Sequence, residues 1–149
     1  MTGDPLARFE REHEEALATL ARLEQAALAL RAPGNRAPHF AVALEAHAFL
    51  AGPVKAHNEN EERALFPELG EDAPTAPFVD EHLTLWRMER ELEMALRASD
   101  AERTADSALA LVDLLRSHIT RENEVLFPMA RTMLGEEGLA RVARRLEGR

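Results

Sequence analysis

The stretch HNENEERALFP, residues 57–67, sets a histidine and a glutamate four positions apart and closes on Leu-Phe-Pro. Residues 118–128 read HITRENEVLFP, so both stretches fit the template His-x-x-x-Glu-x-x-x-Leu-Phe-Pro. On a helix, positions i and i+4 lie about 40° apart around the axis and about 6 Å apart along it. Each pair therefore projects from one face, and in both stretches that face is the apolar one. Phe40, Leu44, Leu50, Val54 and Leu65 share the stripe of His57 and Glu61, and Leu111, Leu115, Val125 and Met129 share that of His118 and Glu122.

Outward from these two segments, the apolar pattern stays helical and nothing alternates with strand period. A first helix opens at Asp4-Pro5, a cap followed by proline, with a stripe of Leu6, Phe9, His13, Leu17, Leu20, Leu23, Ala27 and Leu30. The turn RAPGNRAP (31–38) leads into the second helix, which Gly52-Pro53 should weaken or kink before Pro67 ends it. After the loop GEDAPTAP (70–77), a third helix aligns Phe78, His82, Leu85, Glu89, Leu92 and Leu96. Ser99-Asp100-Ala101-Glu102 reads as a capping box opening the fourth helix, and Leu139, Val142 and Leu146 mark a short tail helix after Gly138. The expected fold is all-α: an up-down-up-down four-helix bundle with a short C-terminal helix, one domain over 1–149.

The chain also reads as two copies of one helical hairpin. EREHEEAL around His13 resembles VDEHLTLW around His82, and each copy's second helix carries one His-x-x-x-Glu. The first copy is eight residues longer between its histidines, an excess that fits in the 31–38 turn.

Composition narrows the function classes. A chain of 149 residues can bury one sizeable core. It has no cysteine, which removes disulfides, a thiolate nucleophile and metal–sulfur ligation. The N-terminal residues MTGDPLARFE lack the charge and apolar run of a signal peptide, and no stretch approaches the roughly 18 apolar residues of a bilayer span, so a cytoplasmic location is expected. The net charge of −9 disfavours nucleic acid and anionic membranes as partners.

Helical arms of similar length bring His13, His57, His82 and His118 to one level of an antiparallel bundle. A single layer of the core then holds His13, His57, Glu61, His82, His118 and Glu122. Burying even one unpaired carboxylate costs several kcal/mol, and two would repel each other. Protonation, solvent entry or a cation relieves that cost. Four imidazoles and two carboxylates suit iron, with manganese or zinc as substitutes. If each glutamate bridges two metals, each metal receives two nitrogens and two oxygens; an oxo or hydroxo bridge adds a fifth ligand and leaves one octahedral position open.

The remaining polar residues on the inner faces read more plainly. His47 is ten residues from His57, about 15 Å along the axis, and is structural. His39 belongs to the surface. Glu89 is equally a proton relay, an access-path residue or half of a salt bridge. Glu12 and Glu81 each precede a ligand histidine and are candidates to support one. The rest of ENEER, apart from Glu61, reads as solvated surface, and the Leu-Phe-Pro tails as packing and helix termination.

The ordered pattern His, His-x-x-x-Glu, His, His-x-x-x-Glu, with the Leu-Phe-Pro ends, resembles the hemerythrin-like family, the HHE cation-binding domain, over about residues 5–130. The resemblance implies a non-haem di-iron centre in a four-helix bundle with His13, His57, Glu61, His82, His118 and Glu122 as ligands. The oxygen-carrying members carry a second histidine four after the first on their third helix and end the fourth with His-x-x-x-x-Asp. Here those places hold Trp86 and His-x-x-x-Glu, which resembles the branch of iron-centre repair and stress-linked domains. The cysteine-bearing N-terminal segment of the repair proteins is not found in this chain. The expected function is a di-iron protein that binds or reacts with oxygen, peroxide or nitric oxide in stress response or iron homeostasis, as a sensor or as an enzyme. The alternative is an iron donor or store for a protein partner.

Overall fold

The computed structural model describes residues 3–148 and is all-α, with no strand among them. Helix α1 (Pro5–Arg31) is capped by Asp4, whose side chain accepts from the Leu6 N–H at 2.9 Å. The second rod is built from α2 (Ala37–Phe49), α3 (Lys55–Asn60) and α4 (Phe66–Leu69), spliced by π-helical turns at Leu50–Val54 and Glu61–Leu65. It stops at Gly70, whose φ of 86° is open to glycine and costly for other residues. Helix α5 (Ala76–Arg97) forms the third rod. Helix α6 (Ala101–Arg121), a π turn at Glu122–Leu126 and α7 (Phe127–Glu147) form the fourth.

Each π turn sits at a proline. Proline has no N–H to donate, and its ring collides with the carbonyl four residues back. Widening one turn accommodates it without ending the rod. The N–H groups of Phe66 and Phe127 accordingly reach five residues back, to the carbonyls of Glu61 and Glu122. Pro67 and Pro128 thus lie in the first turn of a new α segment, where no intrahelical donor is needed. The expectation that Leu-Phe-Pro ends a helix is corrected: the second rod runs to Leu69, and the fourth continues through Pro128.

The extra residue of a π turn also rotates everything that follows. Val125, placed on the inner stripe by a 3.6-residue period, is 58% exposed, whereas Leu126 and Phe127 are fully buried. On α1 the stripe passes through Ala16 instead of Leu17. The fourth rod is capped by Asp100, which accepts from the Arg103 N–H at 3.0 Å, and not by Ser99, which takes a positive φ of 51°. The tail helix begins after Gly135, where φ 62° and ψ −171° break α7 three residues before the expected Gly138. The eight-residue excess of the first hairpin is not mainly in its turn. His13 is 18 residues from the end of α1 and His57 is 20 from the start of α2, against 15 and 17 for His82 and His118 in the second hairpin.

α1 packs against α2 and α6, and α5 against α6. The apolar interior divides into two clusters. One joins Leu20, Leu23, Leu30, Leu92, Leu96 and Leu111. The other gathers Leu6, Phe9, Leu65, Phe66, Leu126 and Phe127, with Val142 and Leu146 from the end of α7 packed over that end of the bundle. In every rod the histidine–glutamate segment lies between the residues of one cluster and those of the other. Among the described residues no helix is long and apolar enough to cross a membrane.

Candidate metal centre

All six residues picked out by spacing meet in one buried layer. His13, His57, His82 and His118 are each less than a tenth exposed, and Glu61 and Glu122 have no exposure at all. Their inward atoms form two overlapping groups, His13–His57–Glu61–Glu122 and Glu61–His82–His118–Glu122, each with its donor atoms within 4.8 Å of one another.

The two glutamates belong to both groups. Glu61 turns Oε2 to His57 Nε2 at 3.1 Å and Oε1 to His82 Nε2 at 3.2 Å. Glu122 turns Oε1 to His13 Nε2 at 2.8 Å and Oε2 to His118 Nε2 at 3.1 Å. One oxygen of each carboxylate thus faces each histidine pair. Yet His13 Nε2, His82 Nε2, His118 Nε2, Glu61 Oε1 and both oxygens of Glu122 make no hydrogen bond. Close together and without partners, these atoms could share an ion placed between them. Buried polar atoms left in that state cost about 1–3 kcal/mol each, more when charged. Two nitrogens and two oxygens around each point form a donor set suited to a divalent or trivalent first-row metal ion. The residues fit such an ion.

The outer nitrogen of every ring is held from behind. His57 Nδ1 lies 2.8 Å from Glu12, His118 Nδ1 2.7 Å from Glu81, His82 Nδ1 2.6 Å from Glu62 and His13 Nδ1 2.7 Å from Asn123. When each Nδ1 carries the proton and donates outward, Nε2 is free to offer its lone pair inward. Glu81 is itself fixed by Arg121 at 2.7 Å, and Glu12 by Arg8 at 3.3 Å. Glu12 and Glu81 are legible in the sequence as neighbours of the layer's histidines. Glu62 is exposed, in keeping with its reading as solvated surface, and also anchors His82. Asn123 was missed; its signal was adjacency to Glu122, at the position Glu62 holds in the first hairpin.

Aromatic rings complete the enclosure. Phe127 stacks on His13 with ring centres 5.4 Å apart, and Phe66 on His82 at 6.1 Å. Phe9 and Phe78 present their edges to His57 and His118 at 5.1 and 5.7 Å. The phenylalanines of Leu-Phe-Pro therefore shield the histidines of the opposite hairpin. The fixed π turns that begin at Glu61 and Glu122 are what bring them there.

Without a metal, the layer is a network of charges that shifts the titration of His57, His82, His118 and Glu122. Burial alone would lower the pKa of His82, but the carboxylates of Glu122 and Glu61 beside it raise it to about 10. Burial is likewise outweighed at His57, chiefly by the charge of Glu61, and at His118 by Glu122. Burial disfavours ionised Glu122, yet the four histidines hold its carboxyl well below the usual range.

Two cavities reach the layer. A cleft of about 340 Å³ runs between α3 and α5 to His82, past Trp86, Leu83, Asn58 and Glu89. A smaller one of about 160 Å³ reaches His13, His57 and His118. Trp86, at the place of the additional histidine of oxygen carriers, is 42% exposed with the Arg90 guanidinium 5.7 Å from its ring centre. Glu89 pairs with His47 at 2.7 Å, which gives that histidine its structural role. His39 is half-buried at the start of α2.

Comparison with curated proteins returns no match. The family description "Hemerythrin HHE cation binding domain" matches residues 4–130, and that span contains all six residues of the layer and the four side chains behind them. The chain belongs to the hemerythrin HHE cation-binding domain family.

Proposed function

We propose that this protein holds two iron ions, one between His13 and His57 and one between His82 and His118, bridged by Glu61 and Glu122, and that it reacts with small oxidants or gases. The observation that carries this reading is the division of each glutamate, one oxygen toward each histidine pair. Bound iron would supply redox-active positions for oxygen, peroxide or nitric oxide. Manganese and zinc suit the same donors as substitutes.

The chain's own residues set the conditions for that chemistry. The four Nδ1 contacts fix ring orientation and tautomer, the phenylalanines limit water, and the two cavities, lined by a mixture of apolar and polar side chains, present mostly apolar surface that suits small uncharged molecules. This access favours reaction with small molecules over donation of iron to a protein partner. On the same reading the four rods run up-down-up-down as one domain, supported by the short turns 32–36 and 98–100 and by the packing of α1 and α5 on α6. A cytoplasmic setting accords with metal held by histidine and carboxylate in a chain without cysteine.

The test is metal analysis of iron-loaded protein with optical spectra before and after oxygen, peroxide and nitric oxide. Two irons per chain and gas- or peroxide-dependent bands are expected. Saturation at one iron, with Glu61→Ala harmless, overturns the bridged arrangement. Iron that leaves readily to a chelator, with spectra indifferent to all three reagents, favours the donor role.

A further inference from the structure

We infer that the two metal positions of this centre are unequal, that the position on His13 and His57 is the weaker and more readily exchanged, and that Asn123 sets the difference. The inference rests on the two-ion reading above and concerns residues outside the donor set.

The donors themselves are matched. Each position takes two imidazole Nε2 atoms and one oxygen from each of Glu61 and Glu122. The surrounding rings are matched as well: Phe127 stacks on His13 as Phe66 does on His82, and Phe9 meets His57 edge-on as Phe78 meets His118. The support behind the histidines is where the two hairpins part. Glu12 and Glu81 serve His57 and His118 alike. At the other pair, His82 donates to the carboxylate of Glu62 and His13 to the neutral amide oxygen of Asn123. These two supports occupy equivalent places, each directly following its bridging glutamate.

A carboxylate behind an imidazole increases electron density at the far nitrogen and strengthens its bond to a metal. An amide oxygen orients the ring as well but adds no charge. Loss of such a support typically changes metal affinity by about 10- to 100-fold. The position on His82 and His118 therefore has two carboxylate-backed ligands, and the position on His13 and His57 has one.

Anaerobic titration with cobalt(II), followed by its visible ligand-field bands and by competition with a chromophoric chelator, tests this. Two ions should bind in separate steps, about 10- to 100-fold apart. Asn123→Asp changes an amide to a carboxylate of the same shape, and should tighten the weaker step by about that factor while leaving the stronger one in place. Glu62→Gln should weaken the stronger step toward the weaker. If the steps differ only because two cations repel across shared carboxylates, both variants will keep the wild-type ratio, and the inference falls. Two equal steps in the wild-type protein also overturn it while leaving the two-ion reading intact. Saturation at a single ion removes the two-ion reading itself. Circular dichroism of each variant separates a lost fold from a lost site, and Glu62, 40% exposed at its side chain, tolerates exchange even if position 123 does not.

Discussion

Glu12 lies one residue before His13 in the chain, yet its carboxylate meets His57 on the neighbouring rod, 2.8 Å from Nδ1. Glu12→Gln retains the shape and removes the charge. On the two-ion reading, it should lower the affinity for one ion by about 10- to 100-fold without changing the number bound at saturation. Equilibrium dialysis against a metal buffer checks this, and an unchanged affinity would show that the contact only orients the ring.

Metal and protons compete for the same nitrogens, so the metal-free and metal-loaded proteins should respond oppositely to alkali. The pKa values of His57, His82 and His118 are raised, so their contribution to stability is complete below the ordinary value of 6.5 and is lost as pH rises through the folded value, about 10 at His82. Glu122 is depressed, so its contribution is present above 4.5 and is lost as pH falls through its lower folded value. The metal-free protein should thus melt highest between about 4.5 and 6.5 and progressively lower toward pH 10. Metal needs deprotonated nitrogens, and its stabilisation, about 2.7 kcal/mol at a hundredfold excess over Kd, should persist or grow over that interval. Thermal unfolding across a pH series, with and without metal, decides it; a metal-free Tm that climbs from pH 7 to 10 contradicts the network.

His47 and Glu89 provide a control away from the layer. Their side chains are 13% and 11% exposed and 2.7 Å apart. His47→Leu leaves a mostly buried carboxylate without a partner and should cost about 3 kcal/mol, while the double change with Glu89→Leu should recover most of it. Chemical denaturation measures the cycle. Metal stoichiometry should be unchanged in both variants.

Gly135 marks where α7 breaks to fold its last segment over the bundle end. Its φ of 62° with ψ of −171° is poorly accessible to residues with a Cβ. Gly135→Ala should destabilise by on the order of 1–3 kcal/mol. Gly138→Ala should act through crowding, since a Cβ there would lie 2.6 Å from Leu134 Cβ, and should cost about 1–3 kcal/mol. Wild-type denaturation midpoints in either variant would mean that the tail re-docks freely.

The helical period and the repeated His-x-x-x-Glu spacing were sufficient to read the all-α fold and to nominate the six residues that the structure brings together, because those features are local to one helix. Part of what the period misplaced follows the prolines, while Leu17 and Leu44 are exposed ahead of any π turn. A π turn adds a residue that no hydrophobic count reveals, so Val125 exchanges places with Leu126. Glu62 and Asn123 were illegible for a different reason. Each serves a histidine on another rod, and from its own helix alone it is one more polar residue beside a buried one. His47 and Glu89 likewise found their meaning in each other, 42 positions apart.

The supports run alternately within and between the hairpins: Glu12 to His57 and Glu81 to His118 stay inside, while Glu62 to His82 and Asn123 to His13 cross over. The phenylalanines follow the same alternation. Neither half contains a finished centre, but each is the other's missing half. A symmetric pair of separate hairpins could close the same centre, with the segment between Gly70 and Ala76 absent. In such a pair both crossing supports would be identical by symmetry. A single chain, unlike a symmetric pair, can carry glutamate at position 62 and asparagine at position 123.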